Sequence, residues 1–228
     1  MKIKNDGKLA ALLAASEARA RGEKLPASKA NDHAWQAVDI KDLRPKDAGA
    51  NNSTANARKN LQMRILGIDT ALRKTGWAVI DVAGNTMRAV DCGVIINPPS
   101  APLTDCMRHL SKSIKGLLEI YKPDEAAIEG GFYCENARTA IILGTARGAV
   151  LSVLAIAGMP VYEYAPRRAK QCVTGKGNAA KEQVAAMVSN ILNIRVTNLA
   201  NDSTDAFALA ICHATALMHP TAKPEQPI

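Results

Sequence analysis

The stretch RILGIDTALRKTGWAVI, residues 64–80, decides the fold of this 228-residue chain. Its apolar first half predicts a strand that is buried on both faces of a sheet. The strand ends on Asp69, although aspartate is depleted in strands and an unpaired buried charge is costly. The Asp69 carboxylate therefore needs a partner, and the only basic side chains in the turn that follows are Arg73 and Lys74.

Hydrophobic periodicity extends this strand into an α/β fold. Three strands, at about 64–69, 75–82 and 86–96, are joined by short connections and predict an antiparallel β-meander. Beyond them the sequence predicts a helix, the strand EAAIE, a second helix, the strand PVYEY, a loop and two final helices. The helices cover about 103–121, 137–157, 179–192 and 203–218. The alternation favours a mixed sheet, a meander plus parallel strands, with helices on both faces.

Composition divides the chain into three parts. Residues 1–62 are rich in small and polar residues and poor in apolar periodicity, so they are expected to form a disordered N-terminal extension. Residues 63–219 carry the α/β pattern and are long enough to form one core, and residues 220–228 form a short C-terminal tail.

The charge of the chain indicates an acidic partner. The net charge is +8, and residues 138–195 contain eight basic side chains against two acidic ones. Nucleic acid is the first candidate partner, although a solvated helix face would give the same local pattern.

The cysteines and apolar runs favour a cytoplasmic protein. The five cysteines form no C-x-x-C pair, which favours reduced thiols over a disulfide framework or a zinc site. The longest apolar run, AVLSVLAIAGMPV, has thirteen residues and is too short to span a bilayer.

Four carboxylates are expected to meet at one edge of the sheet. Asp69 and Glu129 end two strands, and Asp202 and Asp205 lie on one face at the start of the last helix. Such a cluster needs a cation, and oxygen ligands suit Mg²⁺ or Mn²⁺. For Asp202 and Asp205 alone, a helix cap with an acid in the first turn is the better explanation of the spacing. His213 lies about 12 Å along the helix from Asp205 and is excluded as a ligand of the same ion.

The core resembles the RuvC-type Holliday junction resolvases. The resemblance covers residues 63 to about 218, through MRILGIDTALRKTGWAVI, IEGGFYCENARTAIILGTARGAVL, EYAPRRAKQCVTGKGNAAKEQVAAMV and DSTDAFALAICHA. It implies a ribonuclease H-like fold, a homodimer and metal-dependent incision of two strands of a four-way DNA junction. It places two Mg²⁺ ions, which Mn²⁺ can replace, on Asp69, Glu129, Asp202 and Asp205.

The resemblance also implies roles for other residues. Lys170 and Lys181 match lysines of the family that are implicated in catalysis and DNA contact. Phe132 matches an aromatic residue that stacks on bases at the centre of the junction. A packed core position is the alternative for Phe132. The expected DNA-binding residues are Phe132, Arg138, Arg147, Lys170, Lys176 and Lys181.

The chain departs from the family pattern at two places. Thr70-Ala71 stands where Pro-Gly is usual, and Gly130-Gly131 replaces a bulkier pair. Neither change removes a ligand. The expected function is therefore a junction-resolving endonuclease of DNA recombination and repair that leaves 5′-phosphate ends, with a branch-migration motor as a candidate partner. The alternatives are a catalytically inactive junction-binding protein and an ATP-using member of the same superfold.

Overall fold

The computed structural model describes residues 62–130, 136–194, 201–218 and 227–228, together with the backbone of Val38–Asp39. Its six strands are β1 Val38–Asp39, β2 Gln62–Asp69, β3 Lys74–Ala83, β4 Thr86–Ile96, β5 Glu125–Glu129 and β6 Val161–Tyr164. Its helices are α1 Leu103–Tyr121, α2 Ala137–Ile156, α3 Pro166–Thr174, α4 Lys181–Leu192 and α5 Asn201–Met218.

The strands form one mixed sheet in the order β1-β4-β3-β2-β5-β6. Strands β2, β3 and β4 pair antiparallel, as the meander predicted, whereas β5 pairs parallel with both β2 and β6. The predicted mixed sheet is therefore confirmed. The chain turns from antiparallel to parallel pairing at β2, so the strand that ends on Asp69 lies at the centre of the sheet.

Each face of the sheet carries its own hydrophobic core. On one face Ile65 of β2 packs with side chains from α3, α4 and α5. On the other face Leu66 and Ile68 pack with side chains from α1 and α2. Because successive residues of a strand point to opposite faces, this division also determines which face each remaining residue of β2 points to. Asp69 shares the parity of Ile65 and therefore points to the α5 face.

Two elements differ from the sequence prediction. Val38–Asp39, inside the predicted N-terminal extension, pairs with the edge of β4 through Val38 opposite Met87. The rest of that extension lies outside the described residues. The predicted loop after PVYEY contains helix α3, which has Pro166 at its first turn and ends at Gly175 with φ +77°. Both are common helix boundary signals, and Ala169 and Val173 supply its buried face.

Candidate functional site: a carboxylate cluster at the sheet edge

Strand alternation brings Asp69 and Glu129 together. Strands β2 and β5 are parallel neighbours in which Gly67 lies opposite Ala127, so their last residues, two positions further on, end side by side. Gly67 and Ala127 both face α5. Asp69 and Glu129 each lie two residues further along their strand, so their side chains point to the same face. The charge of Glu129 and a hydrogen bond with it are among the causes that raise the pKa of Asp69, so the two carboxyl groups lie close together.

Glycines on the sheet let α5 approach closely enough to add its own carboxylates. A Cβ atom on Gly76 would collide with the backbone of Asp202, and one on Gly67 would collide with the carbonyl of Ala206. Gly76 is paired with Asp69 across β2 and β3, so the start of α5 lies directly beside Asp69. The Ser203 hydroxyl donates to the Gly93 carbonyl at 3.1 Å and fixes this end of the helix.

The cluster is electrostatically strained. Burial, together with the negative charges of Glu129, Asp205 and Asp202 and the hydrogen bond to Glu129, raises the pKa of Asp69 to about 8. The other three predicted acids therefore all act on Asp69. A carboxylate desolvated among three others stays ionised only if a cation replaces the missing solvent.

Two lysines supply positive charge at Asp205. Lys181, the first residue of α4, places its Nζ 3.6 Å from Asp205 Oδ2. Burial raises the pKa of Asp205, while the charges of Lys181 and Lys170 oppose that rise. Lys170 of α3 and Lys181 therefore border the carboxylates, and the exposed Lys181 side chain also remains open to solvent.

Arg147, predicted to contact DNA, is already engaged inside the protein. Its guanidinium donates to the Glu129 carbonyl and forms an ion pair with Glu163, and its side chain is only 15% exposed. A Cβ on Gly130 would lie 2.9 Å from the Glu163 carboxylate, so the missing side chain makes room for this pair. Gly130 therefore has a structural reason to depart from the family pattern, and Arg147 positions the end of β5. No local pattern of residues predicts this pairing.

The turn after Asp69 is held without the usual Pro-Gly. The Thr75 hydroxyl donates to the Ala71 carbonyl at 2.5 Å and accepts from the Ala71 N–H. The Asn97 amide donates to the Leu72 carbonyl at 2.7 Å. Arg73, suggested as a partner for Asp69, instead donates to the Ala101 carbonyl and Cys106 Sγ. Side chains from other elements thus shape the turn.

The remaining predicted DNA-binding residues are Arg138, Lys176 and Phe132. Arg138 lies exposed at the start of α2, after the cap residue Asn136, and Lys176 is exposed after α3. Phe132 lies outside the described residues.

His213 belongs to a separate buried network, which the sequence reasoning missed. Its ring bonds to Glu125 Oε2 at 2.6 Å and to the Tyr164 hydroxyl at 2.7 Å. This network ties α5 to the opposite end of β5 from Glu129, which agrees with excluding His213 from the carboxylate cluster.

The side chains near Asp69 are of the chemical type that binds a hard divalent cation, but they are not yet arranged around one point. Among the described residues, no three His, Cys, Asp or Glu side chains converge closely enough to hold an ion. Asp69 and the three acids near it are nevertheless all oxygen donors, and a cation would relieve their repulsion of Asp69. The chemistry of these oxygen donors fits a hard divalent cation such as Mg²⁺.

The fold and the carboxylate edge place the chain among the ribonuclease H-like resolvases. The structure matches T. thermophilus RuvC in complex with Holliday junction substrate with a TM-score of 0.66 and 32% identity, over 73% of this chain and 99% of that one. It matches the yeast mitochondrial Holliday junction resolvase in fold, with a TM-score of 0.51 and 11% identity, over 75% and 88% of the two chains.

Sequence comparison gives the family. Residues 65–213 match the family model of crossover junction endodeoxyribonuclease RuvC. The crossover junction endodeoxyribonuclease RuvC of Maricaulis maris is 48% identical over 154 residues, which are 68% of this chain and 92% of that protein. The chain belongs to the RuvC family.

Proposed function

We propose that the protein is an endonuclease that resolves four-way DNA junctions by paired, metal-dependent nicks that leave 5′-phosphate ends. The observation that carries this proposal is the Asp69 carboxyl group, buried among Glu129, Asp205 and Asp202 in a chain of the RuvC family. The process would be DNA recombination and repair, which implies action in the cytoplasm, where bacterial DNA lies.

The proposed metal is Mg²⁺, two ions per site, with Mn²⁺ able to replace it. Bound ions of this kind activate water for attack on the phosphate and stabilise the leaving 3′ oxygen. The protein would hold these ions through Asp69, Glu129, Asp202 and Asp205 at the edge of the sheet. Arg147 contributes by fixing the backbone carbonyl of Glu129.

The lysines beside the cluster are proposed to bind phosphates. Lys181 and Lys170 act on Asp205 from α4 and α3, so an incoming strand would meet positive charge at the edge of the carboxylates. Lys176 and Arg138 are exposed and can extend this surface. Phosphate contacts of this kind make affinity fall steeply with salt. Phe132 is proposed to stack on an unpaired base near the crossover.

Helix α2 is proposed to form the homodimer interface. Within the described ranges, it is the one helix whose length and composition would also allow it to cross a bilayer, a weak signal by itself. Ile141 and Ile156 are 67% and 88% exposed, and a Cβ on Gly144 or Gly148 would meet no atom. An apolar face with small residues allows a second helix to approach closely. A twofold dimer would present two carboxylate clusters for two symmetric nicks. A branch-migration motor is a further proposed partner.

The test compares substrates and ions. A labelled four-way junction and a linear duplex of the same sequence are incubated with the full-length protein in Mg²⁺ and, separately, in Ca²⁺. Paired nicks in the junction alone, and only with Mg²⁺, support the proposal. Binding of the junction without nicks in either ion would instead support an inactive junction-binding protein. Equal cutting of linear duplex would contradict a junction-specific activity.

A further inference from the structure

Two thiols meet in the packing between α3 and α5. Cys172 of α3 and Cys212 of α5 lie 40 residues apart in the sequence, yet their Sγ atoms are 2.9 Å apart. Cys212 is fully buried, whereas Cys172 is partly exposed at the surface. A disulfide bond has a sulfur–sulfur distance of about 2.05 Å, so the two atoms need to approach by only about 1 Å to be joined.

The other described thiols do not share this position. Cys106 packs in the core on the opposite face of the sheet, where Arg73 donates to its sulfur. Cys92 lies on β4, a strand of the sheet itself. The contact between the thiols of Cys172 and Cys212 joins two helices that flank the carboxylate cluster.

We propose that Cys172 and Cys212 are an oxidative modification site that closes to a reversible intramolecular disulfide. The oxidant would be a low-molecular-weight disulfide. The partly exposed Cys172 attacks it as a thiolate, forming a mixed disulfide and releasing one small thiol. Cys212 then attacks the Cys172 sulfur and releases the second small thiol. One sulfur–sulfur bond is broken and one is formed, two electrons pass from the protein to the oxidant, and the two protons leave on the released thiols.

The proposed disulfide would join two helices that also carry residues of the proposed active site. Cys172 lies two residues after Lys170 on α3, and Cys212 lies about two helical turns after Asp205 on α5. The charge of Lys170 already acts on Asp205 across these two helices. A bond between the cysteines would therefore fix the helix that carries Lys170 against the helix that carries Asp205. This inference does not depend on nuclease activity, since it concerns the packing of α3 on α5.

The experiment treats the full-length protein with oxidised glutathione, blocks the remaining thiols and maps peptides without reduction. The expected product is a cross-linked pair of peptides that contain Cys172 and Cys212, with no glutathione attached. Oxidation should raise the melting temperature by about 5 to 10 °C, because the bond closes a loop of 40 residues, and dithiothreitol should reverse the rise. Amide exchange in α3 should slow by about tenfold or more.

Two variants make the test specific. Cys172→Ser removes the partly exposed thiol and should abolish the cross-link and the rise in melting temperature. Cys92→Ser removes another thiol of similar exposure and should leave both unchanged. A stable glutathione adduct on Cys172 in the wild-type protein would overturn the proposal. So would a melting temperature that oxidation raises equally in Cys172→Ser and the wild type.

Discussion

Replacing Asp69 by Asn should stabilise the metal-free protein, and the stabilisation should grow as the pH rises from 5 to 8. The folded protein raises the pKa of Asp69 from 3.8 to about 8, mainly by burial and by the charge of Glu129. Asp69 therefore binds its proton more tightly in the folded state than in the unfolded state. It follows that the free energy of unfolding falls as the pH rises from about 4 to about 8 and is then constant.

The size of the effect follows from the width of that interval. Each pH unit between the two pKa values contributes at most about 1.4 kcal/mol, so three units from pH 5 to pH 8 give about 4 kcal/mol as an upper value. Because Asp69 is partly exposed, solvent screens part of this penalty, and we expect about 2–4 kcal/mol. Asn keeps a donor toward Glu129 but cannot ionise.

The assay is urea unfolding in EDTA at several values between pH 5 and pH 8, for the wild type, Asp69→Asn and the control Glu119→Gln. Glu119 is a half-exposed acid of α1 that lies 3.9 Å from Lys115. The stability advantage of Asp69→Asn over the wild type should grow with pH, whereas Glu119→Gln should track the wild type. An advantage that stays constant across the interval would refute the reasoning, because it would mean that Asp69 does not titrate there.

Three further substitutions test other contacts. Gly76→Ala should lower the free energy of unfolding by about 1–3 kcal/mol in thermal denaturation, since the new methyl group collides with the backbone of Asp202; an unchanged stability would contradict the close approach of α5. Arg147→Met should lower the free energy of unfolding by roughly 2–4 kcal/mol in the same assay, because it leaves Glu163 unpaired in a half-buried position. The double variant with Glu163→Gln should recover part of that loss. Phe132→Ala should slow junction nicking while leaving the dissociation constant for the junction within about threefold, whereas equal losses in both would indicate a packing role.

The central strands and the carboxylates could be predicted from the sequence because both depend on local patterns. The buried run that ends at Asp69 and the i, i+3 spacing of Asp202 and Asp205 place these groups on known faces of their elements. Helix α3 occupies the predicted loop although Pro166 and Gly175 mark its ends, because its nine residues bury only Ala169 and Val173 and so carry little apolar periodicity.

Contacts between distant elements could not be predicted in this way. Nothing in the sequence indicates that Gly130 makes room for Glu163, or that Arg147 then fixes the end of β5. The approach of Cys172 to Cys212 likewise depends on how α3 crosses α5. Such pairs are set by the three-dimensional packing, and neither residue of a pair carries a distinctive local spacing.

The rate of Mg²⁺-dependent nicking of a four-way junction by Asp205→Asn tests the proposed site most directly. The substitution keeps the size of the side chain and its position on α5, but it replaces a charged oxygen ligand by an amide, which weakens a site for a hard cation. The rate is measured at saturating protein, so that weaker binding does not contribute, beside the exposed-residue control Glu182→Gln. We expect Asp205→Asn to nick at least about 100-fold more slowly than the wild type, a loss of about 2.7 kcal/mol in transition-state stabilisation. Nicking within about twofold of the wild type would show that Asp205 is only a residue of the first helical turns and that the carboxylate cluster is not the active site.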